Sequence, residues 1–291
     1  MNKNTIWVTG ASGKLGAVLV KILKLNRDYK LIATDMDVDI TDMSAVEQAA
    51  SVYRPNIIIN CAGLSDEQYC EQNMVQAFRV NALGARNLAA VSRQHNAKII
   101  QMSTDDVFYG KDAVALTEFD MPNPVTVYGK SKLAGENFVR ELNPKHLIIR
   151  SSWVYGIGRG DFFSYVVEKG QNHTPFDVPL DRISTPTSAI ELAKFIHTLL
   201  EHTEYGTYHA SCEGTCSRCE FAQAILEEMG FEPSLAKGVF SGEEHEMTCT
   251  ILENLMMKMT DVYEMPQWQS DLKEYVEIYN RGGEIDGKSI H

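Results

Sequence analysis

Tyr128 and Lys132 stand four residues apart in Val127-Tyr128-Gly129-Lys130-Ser131-Lys132, just after a loop that contains Pro124. On a helix that spacing puts a phenol and an ammonium on one face. A phenol with an unperturbed pKa of about 10 is a poor acid at neutral pH, and an adjacent cation stabilises its anion, drawing the pKa toward the working range. When a carbonyl is reduced its oxygen becomes an alkoxide, and a phenol poised in this way donates the proton it needs. An ordinary solvent-facing helix can also carry Tyr-x-x-x-Lys, so the pattern needs company. Ser103-Thr104-Asp105-Asp106, directly after an apolar strand-like run, provides it. A hydroxyl there can hold the reacting oxygen near the phenol, although the pair also suits a plain strand end.

A second constellation lies at Thr9-Gly10-Ala11-Ser12-Gly13-Lys14-Leu15-Gly16, with glycines in Gly-x-x-Gly-x-x-Gly spacing between a strand-like and a helix-like segment. Glycines allow a tight turn and let a pyrophosphate approach backbone N–H groups at a helix N-terminus. Asp35 follows about 20 residues on, where an acidic side chain accepts from the adenosine ribose. That favours NAD(H) over NADP(H). Asp35 sits in the run Asp35-Met36-Asp37-Val38-Asp39, and a solvated loop aspartate is the other reading.

These groups need a frame that brings them together. Thr5 to Thr9, Lys30 to Thr34, Asn56 to Asn60, Lys98 to Met102 and His146 to Arg150 read as strands. Between them Leu15 to Lys24, Met43 to Tyr53, Ala77 to His95 and Val127 to Leu142 read as helices. The alternation predicts an α/β fold, a doubly wound, Rossmann-like parallel sheet with ligands beyond the carboxyl ends of its strands. Beyond Arg150 come a Gly-rich turn (Tyr155 to Gly160), helices over Phe162 to Lys169, Ser188 to Leu200, Glu220 to Met229 and Asp271 to Tyr279, and a strand over Gly206 to Ala210. We expect a dinucleotide-binding domain over residues 1–155, taking part of 181–210 as well, and a smaller C-terminal substrate lobe over most of 156–291. The tail from Gly282 to His291 reads as frayed.

The 291 residues are ample for a sizeable core. A net charge of −12 repels phosphate backbones and anionic headgroups, which argues against nucleic acid and membrane partners. No run of about 18 apolar residues occurs. Met1 to Asn4 leads straight into a strand, so we expect no secretory leader and a reduced, cytoplasmic setting for the six cysteines. Cys212-x-x-x-Cys216-x-x-Cys219 matches an iron–sulfur spacing, but Arg218 stands where an aromatic usually precedes the last cysteine. The histidines show no ligand-like spacing, so no metal site is expected.

Together these motifs resemble the extended short-chain dehydrogenase/reductases, and among them the dTDP-4-dehydrorhamnose reductases, over roughly Thr5 to Tyr279. The strongest stretches are Val8 to Gly16, Ser103 to Phe108, Val127 to Glu136, Ile149 to Gly156, Asp181 to Thr187 and Gly214 to Ala222. The resemblance implies an NAD(P)H-dependent reductase of a nucleotide-diphosphate 4-keto-6-deoxy sugar, with a homodimer as the candidate assembly. It implies Thr104, Tyr128 and Lys132 as the catalytic trio. Cofactor contacts would come from Gly10, Ser12, Gly13, Lys14, Leu15, Gly16, Asp35, Asp39, Ile40, Cys61, Ala62, Gly63, Ser103, Tyr128 and Lys132. Substrate contacts would come from Thr104, Asp105, Asp106, Val107, Tyr128, Trp153 and Arg182.

Trp153 is either a sugar-side or a core aromatic, and Arg182 is either a planar fork for the diphosphate or a surface arginine. Departures bear on the substrate: Asp106 stands where the family usually has tyrosine, Asp181–Thr187 stands for its Asp-Gln-x-Gly-x-Pro-Thr segment, Cys61–Asp66 for its alanine-rich one, and the usual Arg-Pro stretch is hard to find around Glu244 to Asn254. Ser217-Arg218-Cys219-Glu220-Phe221-Ala222 resembles the family's Ser-Trp-x-Glu-Phe-Ala segment. Thr104-Asp105-Asp106 also resembles the Thr-Asp-Glu of sugar-nucleotide 4,6-dehydratases, although aspartate is one methylene short for their proton abstraction. A third reading is a non-catalytic regulatory subunit on the same fold.

Overall fold

The structure is a computed structural model that describes residues 4–110, 114–156, 161–241 and 248–285. Its first half runs β1 (Asn4–Thr9), α1 (Lys14–Leu25), β2 (Tyr29–Thr34), α2 (Met43–Tyr53), β3 (Ile57–Asn60), α3 (Glu67–Gln72), α4 (Met74–Phe78), α5 (Ala85–Gln94), β4 (Lys98–Thr104), β5 (Ala115–Leu116), α6 (Val127–Leu142) and β6 (His146–Ser151). The second half adds β7 (Val154–Tyr155), α7 (Phe162–Gln171), β8 (Phe176–Pro179), β9 (Arg182–Ser184), β10 (Thr187–Ser188), α8 (Ala189–Thr198) and β11 (Gly206–His209). It closes with β12 (Cys216–Ser217), α9 (Arg218–Glu228), β13 (Ala236–Val239), β14 (Thr248–Cys249), β15 (Ile251–Leu252), α10 (Leu255–Thr260) and α11 (Trp268–Asn280).

Six strands form one sheet in the order β11-β6-β4-β3-β1-β2, every pair parallel. The fold is the expected Rossmann-like one, and β11 joins its edge from the C-terminal half. Strand residues alternate faces. Ile6, Val8, Ile57, Ile59, Ile100, Met102, Leu147 and Ile149 belong to one core, which continues through α8, α9 and α11 by way of Phe195, Phe221 and Tyr275. Trp7, Ile58, Ile99 and Ile148 point the other way, into a second core with Val46 of α2, Leu88 of α5 and Val139 of α6. Burial on both faces is what a doubly wound sheet requires.

The strand order reverses beside β1, between β2 and β3, which places the loops after β1 and β3 at the crevice where such sheets bind ligands. One expected helix is interrupted. Ala77 to His95 is split by a π-turn at Arg79–Gly84 between α4 and α5. Asn81 in that turn accepts from the Leu64 N–H (2.8 Å) and donates to the Leu64 carbonyl (2.9 Å) and to Ser131 Oγ (2.9 Å). The loop after β3 is thereby tied to α6. Of the Gly-rich turn only Tyr155 and Gly156 are among the described residues; Ile157–Gly160, the tail from Asp286, and Glu244–Met247 of the expected Arg-Pro region lie outside them.

Candidate active site

At the carboxyl ends of the strands a cleft of about 770 Å³ brings together Ser12, Gly13, Lys14 and Leu15 with Cys61, Gly63, Ser103, Thr104, Asp105, Asp106, Tyr128, Lys132, Trp153 and Arg182. Residues distant in sequence converge because β1, β3, β4 and β6 all end there.

Gly13 caps α1 with no side-chain bond to the first-turn N–H groups, which suits an anion at the helix terminus. Gly16 is required by close approach: a Cβ there would lie 2.1 Å from the Gly10 carbonyl oxygen and 2.9 Å from Ala11 Cα. Gly16→Ala must therefore push the loop apart. We expect at least a tenfold loss of reduced-nucleotide affinity in a fluorescence titration, and an unchanged affinity would remove the loop as the pyrophosphate seat. Asp35 Oδ2 accepts from Ser12 N (3.0 Å) and from the Ser12 hydroxyl, so this carboxylate of the acidic run stands at the loop. Asp37 and Asp39 instead accept from the backbone N–H groups of Asp35 (2.6 Å) and Thr41 (2.8 Å).

Four expected side chains do not line the cleft: Asp35 and Asp39, held by the bonds just described, and Ile40 and Val107. Ile40 is buried in the core with Trp7 and Val46, and Val107 packs with Phe108 and Leu252, because in both places apolar burial against the sheet or the β15 edge takes the side chain. Gly10, Gly16 and Ala62 shape the loop from behind rather than lining the cleft.

The chemical groups sit on β4 and α6. The α6 helix starts at Thr126, whose hydroxyl accepts from Gly129 N (2.9 Å). A Cβ on Gly129 would meet the Asp106 carbonyl at 2.0 Å, so only glycine lets α6 press against the turn after β4. That contact sets Tyr128 beside Thr104, and both side chains line the cleft. Thr104 Oγ1 faces Asp106 Oδ2 (3.0 Å) and Asp105 Oδ1 (3.2 Å), donating its one proton toward the pair. The neighbouring hydroxyl has another job: Ser103 Oγ donates to Glu136 Oε1 (2.6 Å), whose carboxylate also accepts from Arg150 Nε (2.9 Å) and Nη2 (2.8 Å). Of the two hydroxyls, Thr104 is the one held beside the phenol.

The electrostatics differ from the sequence expectation. The Tyr128 pKa is raised, first by burial and then by Asp106, with Asp105 adding to it and the nearby Thr104 hydroxyl acting the other way. Lys132 is not among the groups that lower it, and its Nζ donates to the Met102 carbonyl (2.7 Å). Burial brings Lys132 down to about 8 against the opposing pull of Glu136 and Cys61. Asp106 is raised to about 6 by burial and by Glu67, with Thr104, Arg182 and Arg218 opposing. Asp105, which Ser184 Oγ approaches at 3.2 Å, is raised well above the carboxylate range by burial and by Asp106.

Trp153 holds a left-handed backbone (φ 40°) and presents its ring in the cleft. Arg218, the first residue of α9, lays its guanidinium over that ring at 3.7 Å and over Phe162 at 4.6 Å. Sequence reasoning missed Arg218 as a cleft residue, along with Glu67 and Ser184. The signal for Arg218 was present in its position within the Ser217–Ala222 segment, where the resembling pattern has tryptophan. The neighbouring cysteines take local partners: Cys212 Sγ donates to Asp271 Oδ2 (3.4 Å) and Cys219 Sγ to the Ala236 carbonyl (3.9 Å).

The residues present fit a dinucleotide. Besides the open end of α1, Ser151 Oγ is buried with no hydrogen-bond partner among the described residues, and Ser151 lines the cleft across from Thr104 in the β4–β6 register. A ligand polar atom would satisfy it.

The RmlD substrate binding domain family matches residues 4–281. The spore coat polysaccharide biosynthesis protein SpsK of Bacillus subtilis is 33% identical over 276 residues, covering 94% of this chain and 96% of SpsK. A dTDP-4-dehydrorhamnose reductase of Aggregatibacter actinomycetemcomitans is 34% identical over 228 residues, covering 76% of this chain and 78% of its own. The crystal structure of a dTDP-4-dehydrorhamnose reductase from Bacillus anthracis in complex with NADP superposes with a TM-score of 0.89 at 35% identity, covering 94% of this chain and 98% of that one. With sequence and fold matched over nearly its whole length, the chain belongs to the RmlD substrate binding domain family, that of the dTDP-4-dehydrorhamnose reductases.

Proposed function

We propose that the chain reduces the 4-keto group of a nucleotide-diphosphate 6-deoxyhexose of the dTDP-4-dehydrorhamnose class, with NAD(P)H as reductant. The observation that carries this reading is one cleft holding both an uncapped glycine loop and the Thr104, Tyr128 and Lys132 set. When bound, a reduced nicotinamide supplies the hydride. The Tyr128 hydroxyl donates a proton to the carbonyl oxygen, and its raised pKa keeps it loaded at neutral pH. An alkoxide is a far stronger base than a phenolate, so the transfer remains downhill. Thr104 Oγ1 holds the same oxygen, Lys132 orients the ribose side, and Asp106 offers a hydrogen-bonding carboxyl to a sugar hydroxyl. Asp35, fixed at the loop by Ser12, disfavours an extra 2′-phosphate and gives NADH the advantage. Free thiols at all six cysteines suit a reducing, cytoplasmic setting, and among the described residues no helix is long and apolar enough to cross a membrane.

The test is absorbance of NADH or NADPH mixed with the protein and dTDP-4-dehydrorhamnose. Sustained oxidation, faster with NADH, is the expected result. A 4,6-dehydratase acts on a hexose that still carries its 4- and 6-hydroxyls and consumes no nucleotide, so a flat trace here with water loss from such a dTDP-hexose overturns the reductase reading.

A further inference from the structure

Arg218 is held in a way that its packing partners do not explain. Trp153 and Phe162 cover its guanidinium from the ring side, but rings accept nothing from the in-plane N–H groups. Among the described residues no hydrogen-bond acceptor or ion-pair carboxylate engages those donors. Glu67 and Asp105 act on Arg218 only at longer range. Arg182, exposed on β9, lines the same cleft and likewise makes no ion pair among the described residues. The two cations feel each other: burial first and Arg182 as well bring Arg218 down to about 10. Two neighbouring guanidinium groups, in a chain with a net charge of −12, are a local feature set against the overall potential.

We infer that Arg182 and Arg218 form a two-pronged clamp for the diphosphate of the sugar nucleotide, and that Arg218 sets the preference for a diphosphate over a monophosphate. The inference rests on the nucleotide-sugar reading above and adds a residue to it. A monophosphate presents its oxyanions at a single phosphorus and reaches one guanidinium, whereas adjacent phosphoryl groups present oxyanions to both. Arginine suits this because its planar fork matches phosphate oxygens bidentately. The rings of Trp153 and Phe162 fix the plane of that fork before the ligand arrives, which lowers the ordering cost of binding. The end of α9 is not itself the anion seat, since Ser217 and Glu220 cap each other across it. Because the resembling segment carries tryptophan at this position, the cation is a property of this chain and not of the pattern.

The experiment is calorimetric titration of the full chain, wild type, Arg218→Gln and Arg218→Lys, with dTDP, dTMP and NADH. We expect Arg218→Gln to weaken dTDP by roughly 30-fold, dTMP by less than about threefold and NADH by less than about twofold. Arg218→Lys, which keeps the charge and loses the fork, should weaken dTDP by roughly tenfold. Equal losses for dTDP and dTMP, no loss in either variant, or no dTDP binding by the wild type each overturn the clamp. Should Arg218→Gln fail to fold, Arg218→Lys gives the reading alone. Binding needs no turnover, so an inactive wild type with the expected pattern ends the reductase reading and leaves the clamp standing, and an active one without the pattern does the reverse.

Discussion

Tyr128→Phe lowers kcat by about three orders of magnitude while reduced-nucleotide affinity stays within about twofold. The ring is retained, so the packing with Val127, Leu64 and Cys70 survives and only the hydroxyl is lost. What disappears is the proton donor beside Thr104. The same experiment carries a pH signature. The Lys132 ammonium, brought down to about 8 by burial, is present below that value and lost as pH rises through it. Wild-type kcat/KM should accordingly fall above about pH 8, where the cation that orients the ribose side is discharged. Stopped-flow and steady-state measurements with NADH read both effects. A phenylalanine variant with near wild-type kcat would remove Tyr128 from the chemistry, and a flat profile between pH 7 and 9 would do the same for the charge on Lys132.

The second large effect is on stability. Glu136→Ala should cost roughly 3–5 kcal/mol, because Arg150 is 2% exposed and would keep a buried charge without its carboxylate. No neighbour replaces the lost partner. The Phe108 ring lies 5.0 Å from the guanidinium carbon. His209 Nε2, 3.5 Å from Arg150 Nη1, belongs to a ring whose pKa is lowered to about 3 by burial and by Arg150 itself. Ser103 loses its acceptor at the same time. A fall in Tm on the order of 10 °C follows for a chain of this size. Glu136→Ala combined with Arg150→Met should recover much of it, since removing both charges is cheaper than stranding one. Thermal unfolding of the wild type and the two variants measures this, and a single-variant loss below about 1 kcal/mol would show that the pair contributes little.

The parts of the molecule that could be read in advance are those whose order is local. Val127–Leu142 and Met43–Tyr53 were legible to the residue because Thr126 and Asp42 cap them and an apolar stripe runs their length. The five N-terminal strands were visible as short apolar or β-branched runs between helical patterns. The cleft was legible for the same reason, since its loops follow those strands. What escaped depends on distant partners. Paired stretches such as Arg182–Ile183 with Thr248–Cys249 exist only through non-local hydrogen bonding. The direction of the Tyr128 shift turned on burial and on Asp106, neither of which its helical spacing from Lys132 could report. Arg218 stood out in the sequence only as the replacement for tryptophan in the Ser217–Ala222 segment, and its contact with Trp153 places it in the cleft.

The π-turn at Arg79–Gly84 has a consequence best put as angular phase. Such a turn holds one residue more than the α-helix needs, and each residue of an α-helix advances the side chains by about 100° around the axis. Everything downstream is rotated by that amount relative to an uninterrupted rod. Ala77, ahead of the offset, packs with Val127 and Tyr128, while Ala85, Leu88 and Val91, behind it, seat on the sheet with Ile58 and Ile99. One continuous helical run thereby serves two surfaces that a single apolar stripe could not face at once, and losing the surplus residue would restore a smoother helix at the expense of one of those seats.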